Sequence, residues 1–365
     1  MKTLALHAQH QSLGATFQPY GEWEAPFHYG NPRSEYEAIH QRAGLADLSL
    51  RGKCLVTGDD RVTWLQSIIS NDILPLKLGQ GRYSALMNHK GKILSYFRVF
   101  LQPDTLIIED VGEVGDLTYQ TLRKFLLYGT KAKLHNALDS WGLLLVSGPK
   151  SQDILQQAFN VEVGPLQVLD TISFTLGDIQ GFIARTEETG GQDYELFART
   201  DVLPPLWSHL LKTGKEAGLQ PVGREALETS RIEGGLARLG PDLNERIVPP
   251  EANLAGIAFS LSKGCYPGQE VVARMDTYGS VKRRMVGLII DTEDQQLPEA
   301  GTKIFSGTRE VGWVTSSTFS PQLKKPIAFG FPLRDFTQPH TKLEIEIQGH
   351  RFPASVSTLP FTTNQ

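Results

Sequence analysis

One of the two cysteines in this 365-residue chain stands where a thiol can become reactive. The local sequence reads Lys263-Gly264-Cys265-Tyr266-Pro267-Gly268-Gln269-Glu270. Pro267 suits the first position of a helix, and residues 269–275 have the pattern of a short one. A helix N-terminus and a lysine nearby both favour the thiolate, which is the nucleophilic form of cysteine. The alternative is a small cysteine packed in a glycine-rich turn.

These eight residues resemble the Lys-Gly-Cys-aromatic-x-Gly-Gln-Glu signature of the YgfZ folate-binding proteins. Those proteins are relatives of the aminomethyltransferase (T-protein) of the glycine cleavage system. The resemblance implies tetrahydrofolate, or a one-carbon derivative of it, as the ligand. It also implies a role in iron–sulfur cluster assembly or repair, with Cys265 acting transiently on cluster iron, a persulfide or a partner's thiol. Gln269 and Glu270 are expected to orient the cysteine loop, although Glu270 can instead pair with Arg274.

Several other segments resemble the T-protein and occur in the same order. They are residues 43–49, 56–60, 71–72, 146–150 and 311–316. The fold implied is α+β, with two related aminomethyltransferase-like subdomains around a central folate opening and a small C-terminal antiparallel β-barrel. The barrel is also expected from the residues alone, because short alternating strands separated by turns follow one another from Met285 to Phe361.

The length of the chain is sufficient for two or three domains. We expect a folate-binding region over residues 1–280, divided at about residue 140, and a barrel over residues 281–365. The formal net charge of −4 provides no basic field for nucleic acid or an anionic membrane. No run of 18 apolar residues occurs, so we expect no membrane span and a cytoplasmic protein, or an organellar one if a transit peptide has been removed.

The cysteines Cys54 and Cys265 are too few for a zinc site or for a cluster held by four thiolates. No histidines show metal-ligand spacing, so no bound metal is expected. Cys54 lies in an apolar strand pattern and is interpreted as structural.

Glu195 begins a predicted strand just after Gly190 and Gly191. A pterin presents a ring N–H and an exocyclic amino group side by side, and one carboxylate can accept both bonds. The resemblance assigns this role to the glutamate at the position of Glu195. The alternative is a surface glutamate that alternates with Tyr194 and Leu196 along a strand.

The resemblance adds three further folate contacts. Arg231 stands at the end of a predicted helix, where its planar donors can meet the ligand; alternatively it offsets the helix dipole and pairs with Glu228. Tyr83 and Asn88 correspond to positions that approach the ligand in the family, and either residue can instead pack or form a turn.

The chain departs from true aminomethyltransferases at Ser95 and Tyr96, which replace the pair of aspartates found there. Neither hydroxyl acts as a carboxylate near neutral pH, and this argues against glycine cleavage activity. Two alternatives to the iron–sulfur role stay open. One is a folate-dependent aminomethyl or methyl transferase that recruits another carboxylate, such as Asp47 or Asp72. The other is a non-catalytic scaffold for cluster-assembly partners.

Overall fold

The N-terminal part of the chain combines nine strands with four helices. The structure, a computed structural model, describes residues 1–112, 115–278, 281–292 and 296–361. The strands of this part are β1 (Lys2–Thr3), β2 (Thr16–Tyr20), β3 (Trp23–His28), β4 (Ala43–Asp47), β5 (Lys53–Thr57), β6 (Gly81–Met87), β7 (Ile93–Leu101), β8 (Thr105–Asp110) and β9 (Lys133–Asn136). The helices are α1 (His7–Ser12), α2 (Pro32–Gln41), α3 (Arg61–Ile68) and α4 (Leu117–Arg123).

The remainder of the chain forms a second α+β part and a barrel. The second part contains β10 (Trp141–Ser147), α5 (Ser151–Phe159), β11 (Thr171–Leu176), β12 (Ile179–Thr186), β13 (Asp193–Arg199), α6 (Leu203–Thr213), β14 (Leu219–Pro221), α7 (Arg224–Glu233) and α8 (Gln269–Tyr278). The barrel strands are β15 (Val286–Ile290), β16 (Lys303–Ser306), β17 (Arg309–Ser320), β18 (Lys325–Gly330), β19 (Lys342–Ile347) and β20 (His350–Ser357).

Two large sheets carry the α+β part. A five-stranded antiparallel sheet has the order β6-β7-β8-β5-β9, and a six-stranded sheet has the order β11-β12-β13-β10-β4-β14. The second sheet takes β4 from the N-terminal part, so the two parts interlock. The expected domain boundaries at about residues 140 and 280 stay predictions.

The barrel is closed in the order β15-β18-β17-β16-β19-β20, and β15 pairs with β20 to complete it. Closure leaves no unpaired strand edge. The predicted α+β class with a C-terminal antiparallel barrel is confirmed.

The alternation of side chains along β7 explains how the sheet separates core from opening. Phe97 and Val99 pack into the apolar core that also contains Leu65 of α3 and Leu122 of α4. The intervening Tyr96 and Arg98 point to the opposite face, toward the six-stranded sheet. Arg98 therefore places a buried charge between the two sheets.

None of the helices in the described part of the chain has the length and apolar character needed to cross a bilayer.

Candidate functional site

Two cavities adjoin where the sheets and the barrel meet. The first, of about 690 Å³ including open solvent, is lined by residues that include Asp47, Arg51 and Glu188. The second, of about 1310 Å³ including the solvent at its mouth, is lined by Tyr83, Tyr96 and barrel residues. Glu187 and Val111 line both cavities, so the two form one central opening.

A buried cluster of three glutamates and two arginines lies at one side of this opening, and two of its members, Arg51 and Glu188, line the first cavity. Arg98 Nη2 lies 2.9 Å from Glu195 Oε1, 2.8 Å from Glu188 Oε1 and 2.7 Å from Glu109 Oε2. Arg51 Nη2 lies 2.5 Å from Glu188 Oε2, and its Nη1 lies 3.3 Å from both Glu109 and Glu195. The cluster joins β7 and β8 of one sheet to β13 of the other, and bonding of this kind is what makes buried charge tolerable.

Glu195 and Glu188 of this cluster have opposite shifts in pKa. Burial raises the pKa of Glu195 well above its ordinary value, and the neighbouring glutamates add to the rise in spite of Arg98. Burial acts in the same direction on Glu188, but Arg51 and Arg98 outweigh it and lower the pKa of Glu188 to about 2.

Tyr83 and Tyr96 stack beside this cluster. Their ring centroids are 5.7 Å apart with planes 12° from parallel, and the Arg98 guanidinium lies 5.9 Å from the Tyr83 ring. Burial raises the pKa of Tyr96 well above its usual range, and the charges of Glu188 and Glu187 add to the rise. Tyr96 therefore remains a neutral phenol that cannot replace a carboxylate as a base near pH 7.

Ser95 is separated from the opening, since it lies on the other face of β7. Its hydroxyl is fully buried and contacts the Thr118 hydroxyl of α4. Of the two positions that carry aspartates in true aminomethyltransferases, only the one occupied by Tyr96 faces the opening.

Cys265 is exposed, but the two features expected to activate its thiol lie elsewhere. The α8 helix begins at Gln269 rather than at Pro267. Gly268 has a left-handed φ of +82°, which is not a helical conformation, so the helix cannot extend back to Pro267. Lys263 is buried, and its Nζ donates to the carbonyls of Gln66 and Ile69 at 2.6 and 2.5 Å. The lysine therefore caps the C-terminus of α3 instead of facing the thiol.

The remaining residues of the cysteine loop divide into anchors and surface. Tyr266 is buried and its hydroxyl donates to the Ser260 carbonyl at 2.9 Å. Gln269 Nε2 donates to the Lys263 carbonyl at 3.2 Å, so it does support the loop. Glu270 forms an exposed pair with Arg274 at 2.5 Å and holds no part of the cysteine loop in this arrangement. Gly264 has open space around it.

Arg231 and Asn88 have structural partners. Arg231 donates hydrogen bonds to Glu228, Asp242 and Ser316 among others, and so fastens α7 to the barrel although it also lines the first cavity. Asn88 Oδ1 accepts the backbone N–H of Lys90 at 2.9 Å and shapes the turn between β6 and β7. As folate contacts, both residues stay predictions.

Five residues of this site were not recognised from the sequence. They are Arg51, Arg98, Glu109, Glu187 and Glu188. Arg98 had a detectable signal, since it interrupts the otherwise apolar Phe97-Arg98-Val99-Phe100, and a charge inside a buried strand implies a buried partner. Glu109 lies in β8, and the other three lie in loops, where spacing reveals nothing about which face they occupy.

The residues of the opening fit a reduced folate. A flat ring system can lie against Tyr83 and Tyr96, and carboxylates and guanidinium groups are at hand for its polar edge. Two buried atoms in the described part of the cluster, Glu195 Oε2 and Arg98 Nη1, lack a hydrogen-bond partner, but neither residue lines the opening. No three described His, Cys, Asp or Glu residues are arranged to hold a metal ion.

Comparison with known proteins covers almost the whole chain. The family profile of the GCVT N-terminal domain matches residues 6–263, and that of the glycine cleavage T-protein C-terminal barrel domain matches residues 283–362. The aminomethyltransferase of Geobacillus sp. (strain WCH70) is 30% identical over 365 residues, covering 99% of this chain and 98% of that protein. That of Corynebacterium aurimucosum is 31% identical over 98% of this chain and 96% of its own length.

A solved structure agrees with this. The glycine cleavage system aminomethyltransferase T from Bartonella henselae superimposes with a TM-score of 0.87 at 25% identity, covering 99% of this chain and 98% of that one. Membership of the YgfZ branch rests on the Cys265 motif and stays a prediction. Both family domains match, and the relatives align with the chain over almost its whole length. The chain therefore belongs to the glycine cleavage T-protein family of folate-dependent aminomethyltransferases.

Proposed function

We propose that this chain binds tetrahydrofolate, or a one-carbon derivative of it, in the central opening. One observation supports the proposal most directly. The stacked rings of Tyr83 and Tyr96 line one cavity of the opening, and the Arg51–Glu188 ion pair lines the adjoining one. The aromatic pair provides a face for the pterin or the benzoyl ring, and the cluster provides partners for the polar pterin edge.

The reaction we propose is a folate-dependent aminomethyl or methyl transfer, supported by relatives that bear the name aminomethyltransferase. The glycine cleavage reaction itself is not proposed, because a neutral phenol at Tyr96 stands where the carboxylate would be needed. Glu187 is the best replacement, since it is exposed and lines both cavities next to Tyr96. Asp47 is bound to His10 at 3.0 Å, and Asp72 caps a local turn, so both are weaker candidates.

Calorimetry tests the proposed binding, and an activity assay tests the exclusion of glycine cleavage. Calorimetry with tetrahydrofolate under anaerobic conditions should show one ligand per chain, and the absence of binding would overturn the proposal. Supply of an aminomethylated lipoyl carrier with tetrahydrofolate should give no methylene-tetrahydrofolate. Formation at about 1 per second or faster, an ordinary enzymatic rate, would show that Tyr96 does not prevent glycine cleavage.

A second candidate is iron–sulfur cluster assembly or repair, favoured by the exposed Cys265 on a loop whose flanks are held by Lys263 and Tyr266. A presented thiol on an anchored loop suits transient contact with cluster iron, a persulfide or a partner's thiol. The cluster would be cargo or belong to the partner, because this chain has only two cysteines.

Complementation tests the second candidate. Cys265→Ser should fold and bind tetrahydrofolate as wild type does, yet fail to restore iron–sulfur enzymes in a strain that lacks the endogenous protein. Cys54→Ser provides a control for loss of a thiol remote from the loop. If Cys265→Ser restores the enzymes fully, the thiol has no such role and a scaffold function is favoured.

A further inference from the structure

The glutamate assigned to the pterin by family resemblance is not the one that reaches the opening. The Glu195 side chain is 0% exposed, as are those of Glu109 and Arg98, and none of the three lines either cavity. Glu188 is 8% exposed and Arg51 is 14% exposed, and both line the first cavity. The charged cluster thus has an inner layer and an outer edge.

Glu188 is held so that its carboxylate is fixed at that edge. Each of its oxygens accepts from a different arginine, at 2.5 Å from Arg51 and 2.8 Å from Arg98. The backbone N–H groups of Glu188 and Thr189 both donate to Asp193, at 2.8 and 2.9 Å. A glutamate whose carboxylate and backbone N–H are both held by hydrogen bonds is preorganised for a ligand.

We infer that Glu188, rather than Glu195, accepts the hydrogen bonds of the pterin ring N–H and amino group, while Glu195 lies behind it and holds the two arginines in place. This inference rests on the proposed folate binding. An ionised carboxylate has about four acceptor sites, so two bonds from arginines leave Glu188 capacity for the pterin. Glu195 Oε2 has no partner, but it is sealed from the opening by the rest of the cluster.

Three matched variants in one cluster separate the alternatives. Glu188→Gln, Glu195→Gln and Glu109→Gln each replace one carboxyl group by an amide and keep the shape of the side chain. We expect Glu188→Gln to weaken tetrahydrofolate binding about 10- to 100-fold by calorimetry, because it turns one acceptor into a donor that faces donors. The other two should change affinity by less than about threefold.

The outcomes are distinct. If wild type does not bind tetrahydrofolate, the proposed function fails. If wild type binds and Glu195→Gln loses affinity while Glu188→Gln does not, folate binding stands and the present inference is wrong. Equal losses in all three variants, Glu109→Gln included, would show that affinity depends on the cluster as a whole rather than on Glu188 in particular, and would also overturn it.

The wild-type protein gives a second test in case Glu188→Gln does not fold. The charged groups around Glu188 are Arg51 before β5, Arg98 on β7, Glu109 on β8, Glu195 on β13 and the adjacent Glu187. Because the pKa of Glu188 is lowered to about 2, it is ionised throughout the range from about pH 6 to pH 8. Affinity should therefore be constant over that range. A steady rise in affinity with pH would point to ionisation of Glu195 and contradict the inference.

Discussion

Gly268 of the cysteine loop lies directly against Gly91 of the turn between β6 and β7. A Cβ atom added to Gly268 would come within 2.8 Å of Gly91 Cα and 2.6 Å of the Asn88 carbonyl oxygen. Asn88 shapes that turn, and β7 continues from it to Tyr96 and Arg98 in the central opening. The cysteine loop is thus packed on the turn that leads into the central opening.

Gly268→Ala should consequently destabilise the fold. Its φ of +82° is a conformation that costs an L residue about 1 kcal/mol or more, and the backbone contact adds to this. We expect a loss of about 2–3 kcal/mol in the free energy of unfolding, measured with urea. Gly264→Ala is the matched control, because nothing lies within 4 Å of its added Cβ atom. Equal stabilities for the two variants would show that the loop does not pack on the turn as described.

The two thiols should differ strongly in reactivity toward iodoacetamide. Cys265 is exposed, whereas Cys54 is 1% exposed in β5. Burial and the charge of Asp110 raise the pKa of the Cys54 thiol well above its ordinary value, so both access and ionisation are limited. Mass spectrometry of the native protein should find label on Cys265 alone, and both thiols should react in denaturant. Rapid native labelling of Cys54 would contradict its burial.

The sequence was sufficient to predict the architecture because each element carried local evidence. Alternating strands from Met285 onward indicated a barrel, and Cys265 and its neighbours indicated the superfamily through a specific string of residues. The start of α8 was predicted wrongly at Pro267. Gly268 adopts a left-handed conformation there, and a glycine's φ cannot be read from its identity.

The interior of the site was less predictable, since its members come from segments distant in the chain. Arg51 meets Glu188 across 137 positions, and Lys263 meets the Ile69 carbonyl across 194. The hydrophobic periodicity of a short stretch of sequence gives no information about contacts between residues so far apart in the chain. Lys263 was expected beside the thiol because the two residues are close in sequence, but its long side chain turns toward α3.

The ion pair network of Glu228 should make stability depend on pH. Burial would raise the pKa of Glu228, but Arg231 and Arg238 outweigh it and lower the pKa to about 2, from an ordinary value of about 4.5. Since the folded pKa is the lower one, this glutamate stabilises the fold above about pH 4.5, and the contribution disappears as the pH falls toward 2.

Glu228→Gln should therefore be less stable than wild type at pH 7, by on the order of 2 kcal/mol, and the difference should shrink as the pH approaches 2. Urea unfolding across pH measures it. Glu270→Gln is the control, because it breaks an i,i+4 ion pair at the surface. The Glu270 side chain is 76% exposed, whereas that of Glu228 is 26% exposed, so the control should change stability little at any pH. A difference for Glu228→Gln that does not vary with pH would refute the assigned cause.

The central claim is that a reduced folate occupies the opening between the two sheets and the barrel. A crystal structure of the wild-type protein with tetrahydrofolate tests it most directly. We predict the ring system beside Tyr83 and Tyr96, with the pterin ring N–H within hydrogen-bonding distance of the Glu188 carboxylate. A folate bound outside the opening, or an opening left empty at saturating ligand, would contradict the account.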